Sequence, residues 1–198
     1  MLDSVDMHDS ARTLLAALPT PVAGEAVLAC IDGLSASGKS TLAEAVAQAA
    51  APLQVTVVHG DDFYGPEQRD WRSWTPEEGY LHYFDHRRLE REVLQPLRRA
   101  ETAYYRRYDW AANRLDGMVQ VRPVGVVLVE GVYLLREYLR TYWDFAVYVQ
   151  TPRELRLHRA YSRGENDSGW IERCTAAEDH YEAVERPVEA ADLVIERT

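Results

Sequence analysis

The stretch 26–50 constrains the fold of this chain more than any other. An apolar run, Ala26-Val27-Leu28-Ala29-Cys30-Ile31, leads into Gly33-Leu34-Ser35-Ala36-Ser37-Gly38-Lys39-Ser40, and a helix-forming run from Thr41 to Ala50 leads out. Strand, G-x-x-x-x-G-K-[ST] loop and helix N-terminus together specify a phosphate-cradling loop. Gly33 and Gly38 let the backbone turn and bring N–H groups close to phosphate oxygens. Ser35, Ala36, Ser37, Gly38, Lys39, Ser40 and Thr41 complete the candidate cradle, and the positive end of the following helix adds to its field. Lys39 is placed as a point charge for the β- and γ-phosphates, and Ser40 offers a hydroxyl to Mg²⁺. The plain alternative, a glycine turn before an Ala-rich helix, leaves the full motif match unexplained. The motif specifies a nucleoside triphosphate, with ATP and Mg²⁺ expected, but not the group that receives the phosphoryl.

The rest of the chain alternates strands and helices. Ala11–Leu18 is expected as a short helix, ended by Pro19 and Pro21. Val55–His59 reads as a buried strand from its β-branched content, delivering Gly60-Asp61-Asp62-Phe63-Tyr64. The aromatic segment 65–83, broken by prolines and Gly79, reads as a long functional loop. Asp85 is expected to N-cap a helix carrying Leu89, Val93, Leu94 and Leu97. Thr102–Tyr108 and Met118–Val121 read as a strand pair around a turn at Asp116-Gly117. Val124–Val129, Phe145–Val149 and Leu193–Ile195 read as further buried strands, with helices from Pro152 to near Gly164 and from Trp170 to Glu185. Five core strands alternating with helices predict an α/β fold with a parallel sheet covered on both faces.

Composition narrows the partners. A length of 198 residues fits one domain, and a net charge of −10 argues against broad nucleic-acid or anionic-membrane binding. No apolar run approaches the roughly 18 residues needed to span a bilayer, so a cytoplasmic location is expected. Cys30 and Cys174 read as reduced, packed thiols. The partners left open are a small-molecule acceptor and further copies of the chain.

Parallel sheets collect functional groups at the carboxyl ends of their strands. Asp61 and Asp62 follow one strand and Glu130 follows another. Either aspartate suits the proton acceptor of a phosphoryl transfer to an alcohol, and Glu130 suits the Mg²⁺ shell. Arg159 and Arg163, four apart on one helix, share a face that suits closure over a triphosphate. A turn pair, a loop carboxylate and a solvated helix face are the plain readings of the same residues. Trp71, Trp74, Tyr80, Tyr83 and Phe84 suit either an acceptor pocket or the packing of a large loop.

The markers IDGLSASGKST, GDDFY at 60–64, YFDH at 83–86, RRYDW at 106–110, VLVEG at 127–131 and ADLVI at 191–195 resemble, in this order, the uridine kinase branch of the P-loop kinases. That branch also includes nicotinamide riboside kinases and phosphoribulokinase. The resemblance implies a three-layer P-loop fold with a small acceptor-side β-hairpin and an Arg-bearing lid. It divides the single expected domain into an arm at 1–24, a phosphate-loop unit at 25–60, an acceptor-binding region at 61–122 and a lid at 150–170. By position, it implies that Asp61 is the general base with Asp62 beside it, and that Tyr64 lies against the acceptor. Asp85 matches the carboxylate that holds the ribose hydroxyls, Tyr108 an aromatic near the base, Glu130 the acid of the Mg²⁺ site, and Arg159 and Arg163 lid arginines. Uridine–cytidine kinases place a histidine and an arginine after the tyrosine of this motif, where Asn113 and Arg114 stand here. The activity implied is ATP-dependent phosphorylation of a nucleoside 5′-hydroxyl. Asn113 and the Trp-rich insert keep nicotinamide riboside, pantothenate or a sugar open as acceptors. A regulatory NTPase is the rival from another class, and it does not account for Asp61, Asp85 and Tyr108 together.

Overall fold

The computed structural model describes residues 2–65, 71–164 and 167–197. Five parallel strands form one sheet: β1 (Ala26–Asp32), β2 (Val55–His59), β5 (Gly125–Gly131), β6 (Phe145–Gln150) and β7 (Leu193–Glu196), in the order β2-β5-β1-β6-β7. A separate antiparallel pair joins β3 (Ala103–Asp109) to β4 (Arg114–Val121). From β1 the chain passes to β2 at one edge, and after β5 it crosses to β6 and β7 at the other. This reversal opens a crevice at the carboxyl end of β1, the place where open α/β sheets bind ligands.

Alternation along β1 divides the core. Val27, Ala29 and Ile31 join a cluster with Ala11 and Leu14 of α1 (Leu2–Ala17) and with Leu42 and Val46 of α2 (Lys39–Ala49). Leu28 and Cys30 join the cluster on the opposite face, with Tyr83, Leu94, Tyr148 and Tyr181. The face bearing Tyr181 is covered by α8 (Ser168–Glu185), which packs against α3 (Pro76–His82), while α7 (Arg153–Arg163) leads from β6 toward it. Both cysteines are free, and burial pushes their pKa values up. Among the described residues, no helix is long and apolar enough to cross a membrane.

The strand expectations agree with the structure to within a few residues, and three local expectations do not. The first helix spans Leu2–Ala17 rather than starting at Ala11. The segment 65–83 is not a continuous loop, because Thr75 and Glu78 form a capping box that starts α3 at Pro76. Residues 66–70 of that segment lie outside the described residues. Within it, Tyr80 and Tyr83 are core residues, so packing is their role, and Trp71, Trp74 and Phe84 lie half-buried against the same core. The hairpin turns at 110–113, not at Asp116-Gly117. Asn113 takes the left-handed conformation there (φ 51°), which asparagine tolerates better than most residues. Gly117 (φ 62°) is instead the extra residue of a bulge opposite Arg106/Arg107.

Asp85 does cap a helix. Its Oδ1 accepts from the Arg88 N–H at 2.9 Å, and α4 (His86–Leu89) continues through one wider turn at Glu90–Leu94 into α5 (Gln95–Arg98). His86 is buried against the Val132 carbonyl at 3.0 Å, and burial pulls its pKa well down, while His82 lies on the surface beside the Trp74 ring.

Candidate active site

The phosphate loop is pinned from below by a buried carboxylate. Asp32, the last residue of β1, accepts from the Gly33 N–H at 2.6 Å, from the Leu135 N–H at 2.9 Å and from the Tyr181 hydroxyl. Burial raises its pKa, and these three donors oppose the rise. A Cβ at Gly33 would lie 2.7 Å from the Val149 carbonyl oxygen, so only glycine fits this close approach. Gly38 caps α2 in the left-handed region (φ 96°), where other residues are strained. The helix therefore begins at Lys39, and its first N–H groups lack partners within the helix.

Glu178 of α8 accepts from the Ser35 N–H at 2.6 Å, so that loop amide is occupied by protein. The same carboxylate pairs with buried Arg156 of α7 at 2.8 Å. Lys39 Nζ donates to the Leu34 carbonyl at 2.9 Å, and Ser37 is buried with its carbonyl accepting from Thr151 at 3.0 Å.

Glu130 is the penultimate residue of β5, next to the loop. Its Oε2 accepts from Ser40 Oγ at 3.1 Å, and its Oε1 lies 2.8 Å from His59 Nδ1. His59 and Glu130 are register partners in the β2–β5 ladder, which sets this contact. The bond to Glu130 raises the His59 pKa. A hydroxyl and a single carboxylate facing a phosphate loop match the donor set Mg²⁺ takes when phosphates and water complete its octahedron. His59 was not singled out from the sequence; its signal was a polar residue closing an apolar strand immediately before the two aspartates.

Asp61 and Asp62 occupy the turn after β2 and differ in their surroundings. Tyr105 donates to Asp62 Oδ2 at 2.9 Å, and Arg107 Nε lies 3.7 Å from the same oxygen. Asp62 is thereby tied to β3. Asp61 is open to solvent on one side, and among the described residues no side chain is hydrogen-bonded to its carboxylate. Loss of water around the carboxyl, then the Glu130 charge, raises the Asp61 pKa, with Lys39 and His59 pulling the other way.

The remaining candidates surround this turn. Asp85 N–H donates to the Phe63 carbonyl at 2.7 Å, and Tyr64 bridges to Phe84, which sets exposed Asp85 beside the Asp61 turn. Tyr64 lies 4.9 Å from Tyr108 and 4.3 Å from Trp110 between ring centroids. The Tyr108 hydroxyl donates to Asn113 Oδ1, so the structure gives these two residues to each other. Arg114 is exposed and pairs with Asp116 at 3.1 Å.

Arg159 Nη1 lies 3.4 Å from the Ala36 carbonyl. Arg159 and Arg163 line a cavity of about 450 Å³ beside the loop, together with Gly38, Thr41, Gln48 and Arg197. Met7 and His8 of α1 also line it. The loop, the Ser40–Glu130 contact and the Asp61 turn thus lie in succession at the carboxyl ends of the neighbouring strands β1, β5 and β2.

A sequence profile of the phosphoribulokinase / uridine kinase family matches residues 28–198. The uridine kinase of Brevibacillus brevis is 31% identical over 153 residues, covering 74% of this chain and 70% of that protein. The uridine kinase of Latilactobacillus sakei is 32% identical over 143 residues, covering 70% and 67%. Among solved structures, one described as a possible uridine kinase from Bacillus stearothermophilus superposes with a TM-score of 0.74 at 25% identity, covering 98% of this chain and all of that one. Another, described as a candidate fructose transport system kinase from Silicibacter sp. TM1040, superposes with a TM-score of 0.72 at 26% identity, covering 96% and 98%.

Proposed function

Because the chain belongs to the phosphoribulokinase / uridine kinase family, it is an ATP-dependent phosphotransferase acting on an alcohol, and we propose that this alcohol is a nucleoside 5′-hydroxyl. The observation that carries the reading is the adjacency of two clusters. Ser40 and Glu130 face the loop that takes the phosphates, and Asp61 stands at the next strand end. A triphosphate in the loop would present its γ-phosphoryl toward Asp61.

The residues then divide the work. The amides at the start of α2 and the Lys39 ammonium bind the β- and γ-phosphates. Ser40 and Glu130 would hold Mg²⁺, which when bound neutralises charge on those phosphates. Asp61 accepts the hydroxyl proton as the 5′-oxygen attacks the γ-phosphorus and ADP leaves. Asp62 is committed to Tyr105 and Arg107, which favours Asp61 as the base. Arg159 and Arg163 of the lid helix complete the charge clamp. Asp85 and the Tyr64, Tyr108 and Trp110 rings form the side on which a ribose and a flat base would rest, with Asn113 holding Tyr108 in place.

ADP release is measured with a panel of nucleosides, with fructose and pantothenate as contrasting alcohols. The reading expects stimulation by at least one nucleoside and little by the others. Stimulation confined to the sugar or pantothenate would replace the acceptor, and acceptor-independent release would replace the kinase by an NTPase.

A further inference from the structure

Arg88 lies third in the helical run capped by Asp85, and only 4% of it is exposed. Its Nη2 donates to the Asp62 carbonyl at 2.5 Å, and its Nη1 donates to the Arg106 carbonyl at 2.8 Å. The guanidinium carbon sits 4.6 Å from the centre of the Phe63 ring. Its ion-pair partner is Glu92, at 3.8 Å on the same helical run. One buried fork therefore joins three segments: the run starting at Asp85, the turn holding Asp61 and Asp62, and strand β3.

The join falls at a defined place in β3. The ladder with β4 shifts register between Arg106 and Arg107, with Gly117 as the extra residue. The Arg106 carbonyl lies at this interruption. Tyr105, on one side of the bulge, reaches the Asp62 carboxylate, while Arg88 from below takes the Asp62 carbonyl. Tyr108, on the other side, packs against Tyr64 with the two rings tilted by 57°. The spacing between the Asp61 turn and the aromatic wall therefore depends on both ends of the Arg88 fork.

We infer that Arg88 is a positioning residue that sets the distance between the proton-accepting turn at Asp61 and the acceptor-side hairpin. This rests on the kinase reading above. Arg88 faces backbone carbonyls and a ring, so it acts through Asp62 and β3 and touches no reacting atom. A lysine keeps the charge but has a single ammonium in place of the planar fork, so it cannot reproduce both bonds in the same geometry. Displacing a reacting group by about 1 Å is enough to slow a phosphoryl transfer that depends on alignment.

The test uses the full chain as wild type, Arg88→Lys and Arg88→Met. Amide hydrogen exchange is expected to quicken in 60–64 and 103–109 in both variants, with β1 and α2 unchanged. With the best acceptor, kcat per folded enzyme is expected to fall about tenfold or more while KM for ATP stays within about twofold. Arg88→Lys keeps the test decisive if Arg88→Met does not fold. Unchanged exchange in both segments, or an unchanged kcat in a folded variant, would overturn the role of Arg88 alone. Absence of acceptor-stimulated turnover in the wild type would instead overturn the kinase reading, and the positioning role with it.

Discussion

Ser40 Oγ donates to Glu130 Oε2 at 3.1 Å although 90 positions of sequence separate them. The contact joins the start of α2 to the end of β5, and the β1–β5 ladder holds the two strand ends side by side. A hydroxyl and a carboxylate set this close can share one hard cation facing the phosphate loop. Replacing Glu130 by Gln removes the charge and keeps the shape. The Mg²⁺ concentration for half-maximal turnover is expected to rise about ten- to a hundredfold. A Mg²⁺ titration of turnover that superposes on the wild type would contradict the assignment.

The two adjacent aspartates separate by substitution. Asp61→Asn is expected to lower kcat by about 10²- to 10⁴-fold, the usual worth of a positioned base. Asp62→Asn loosens the bond to Tyr105 and is expected to act more weakly, chiefly through the acceptor KM. Steady-state kinetics on both variants check this, and the reverse ranking would move the base to Asp62.

The raised pKa of Asp61 also fixes the direction of the pH dependence. With Asp61 as the proposed base, only its ionised carboxylate takes the proton, so the acid limb of kcat/KM is expected above the ordinary carboxylate value of about 3.9, with activity lost as pH falls through it. For stability the sign runs the other way. A carboxyl with a raised folded-state pKa contributes stability below its unfolded value of about 3.9, and this is lost as pH rises through the folded value. Asp61→Asn should thus melt at or above the wild-type temperature near pH 7, with the difference closing toward pH 4. A variant that melts clearly lower at neutral pH would show that Asp61 supports the fold.

Met7 of α1 lines the loop-side cavity proposed for the donor nucleotide. Met7→Ala is expected to raise the KM for ATP several-fold and to leave the acceptor KM unchanged, because Met7 lines the loop-side cavity as well as packing on the α1–α2 cluster, away from the Asp61 turn. Equal effects on both substrates would point to loosening of α1 on α2 rather than loss of a wall.

Local chemistry made much of this molecule legible in its sequence. The phosphate loop carries its own glycines, lysine and helix start, and the Val-rich run of β5 can be read without knowing its neighbours. Asp85 announced its cap because the apolar helix pattern follows directly. What escaped depended on partners far along the chain. His59 acquires its meaning from Glu130, 71 positions away, and the difference between Asp61 and Asp62 comes from Tyr105, 43 positions beyond Asp62. Gly117 has the composition of a turn residue, yet the register of β3 makes it a bulge and moves the turn to Asn113. The capping box at Thr75 and Glu78 was present in the sequence, but neighbouring prolines and a glycine gave the segment the look of a loop.

The proposed reaction moves a phosphoryl group from a triphosphate in the loop to a nucleoside alcohol positioned at Asp61. Its most direct test is identification of the phosphorylated product. The full chain is incubated with ATP, Mg²⁺ and the most stimulating nucleoside, and the products are resolved by ³¹P NMR and mass spectrometry. The account expects one nucleoside 5′-monophosphate for each ADP formed, with both products lost in Asp61→Asn. ADP and inorganic phosphate accumulating equally with and without nucleoside would contradict it.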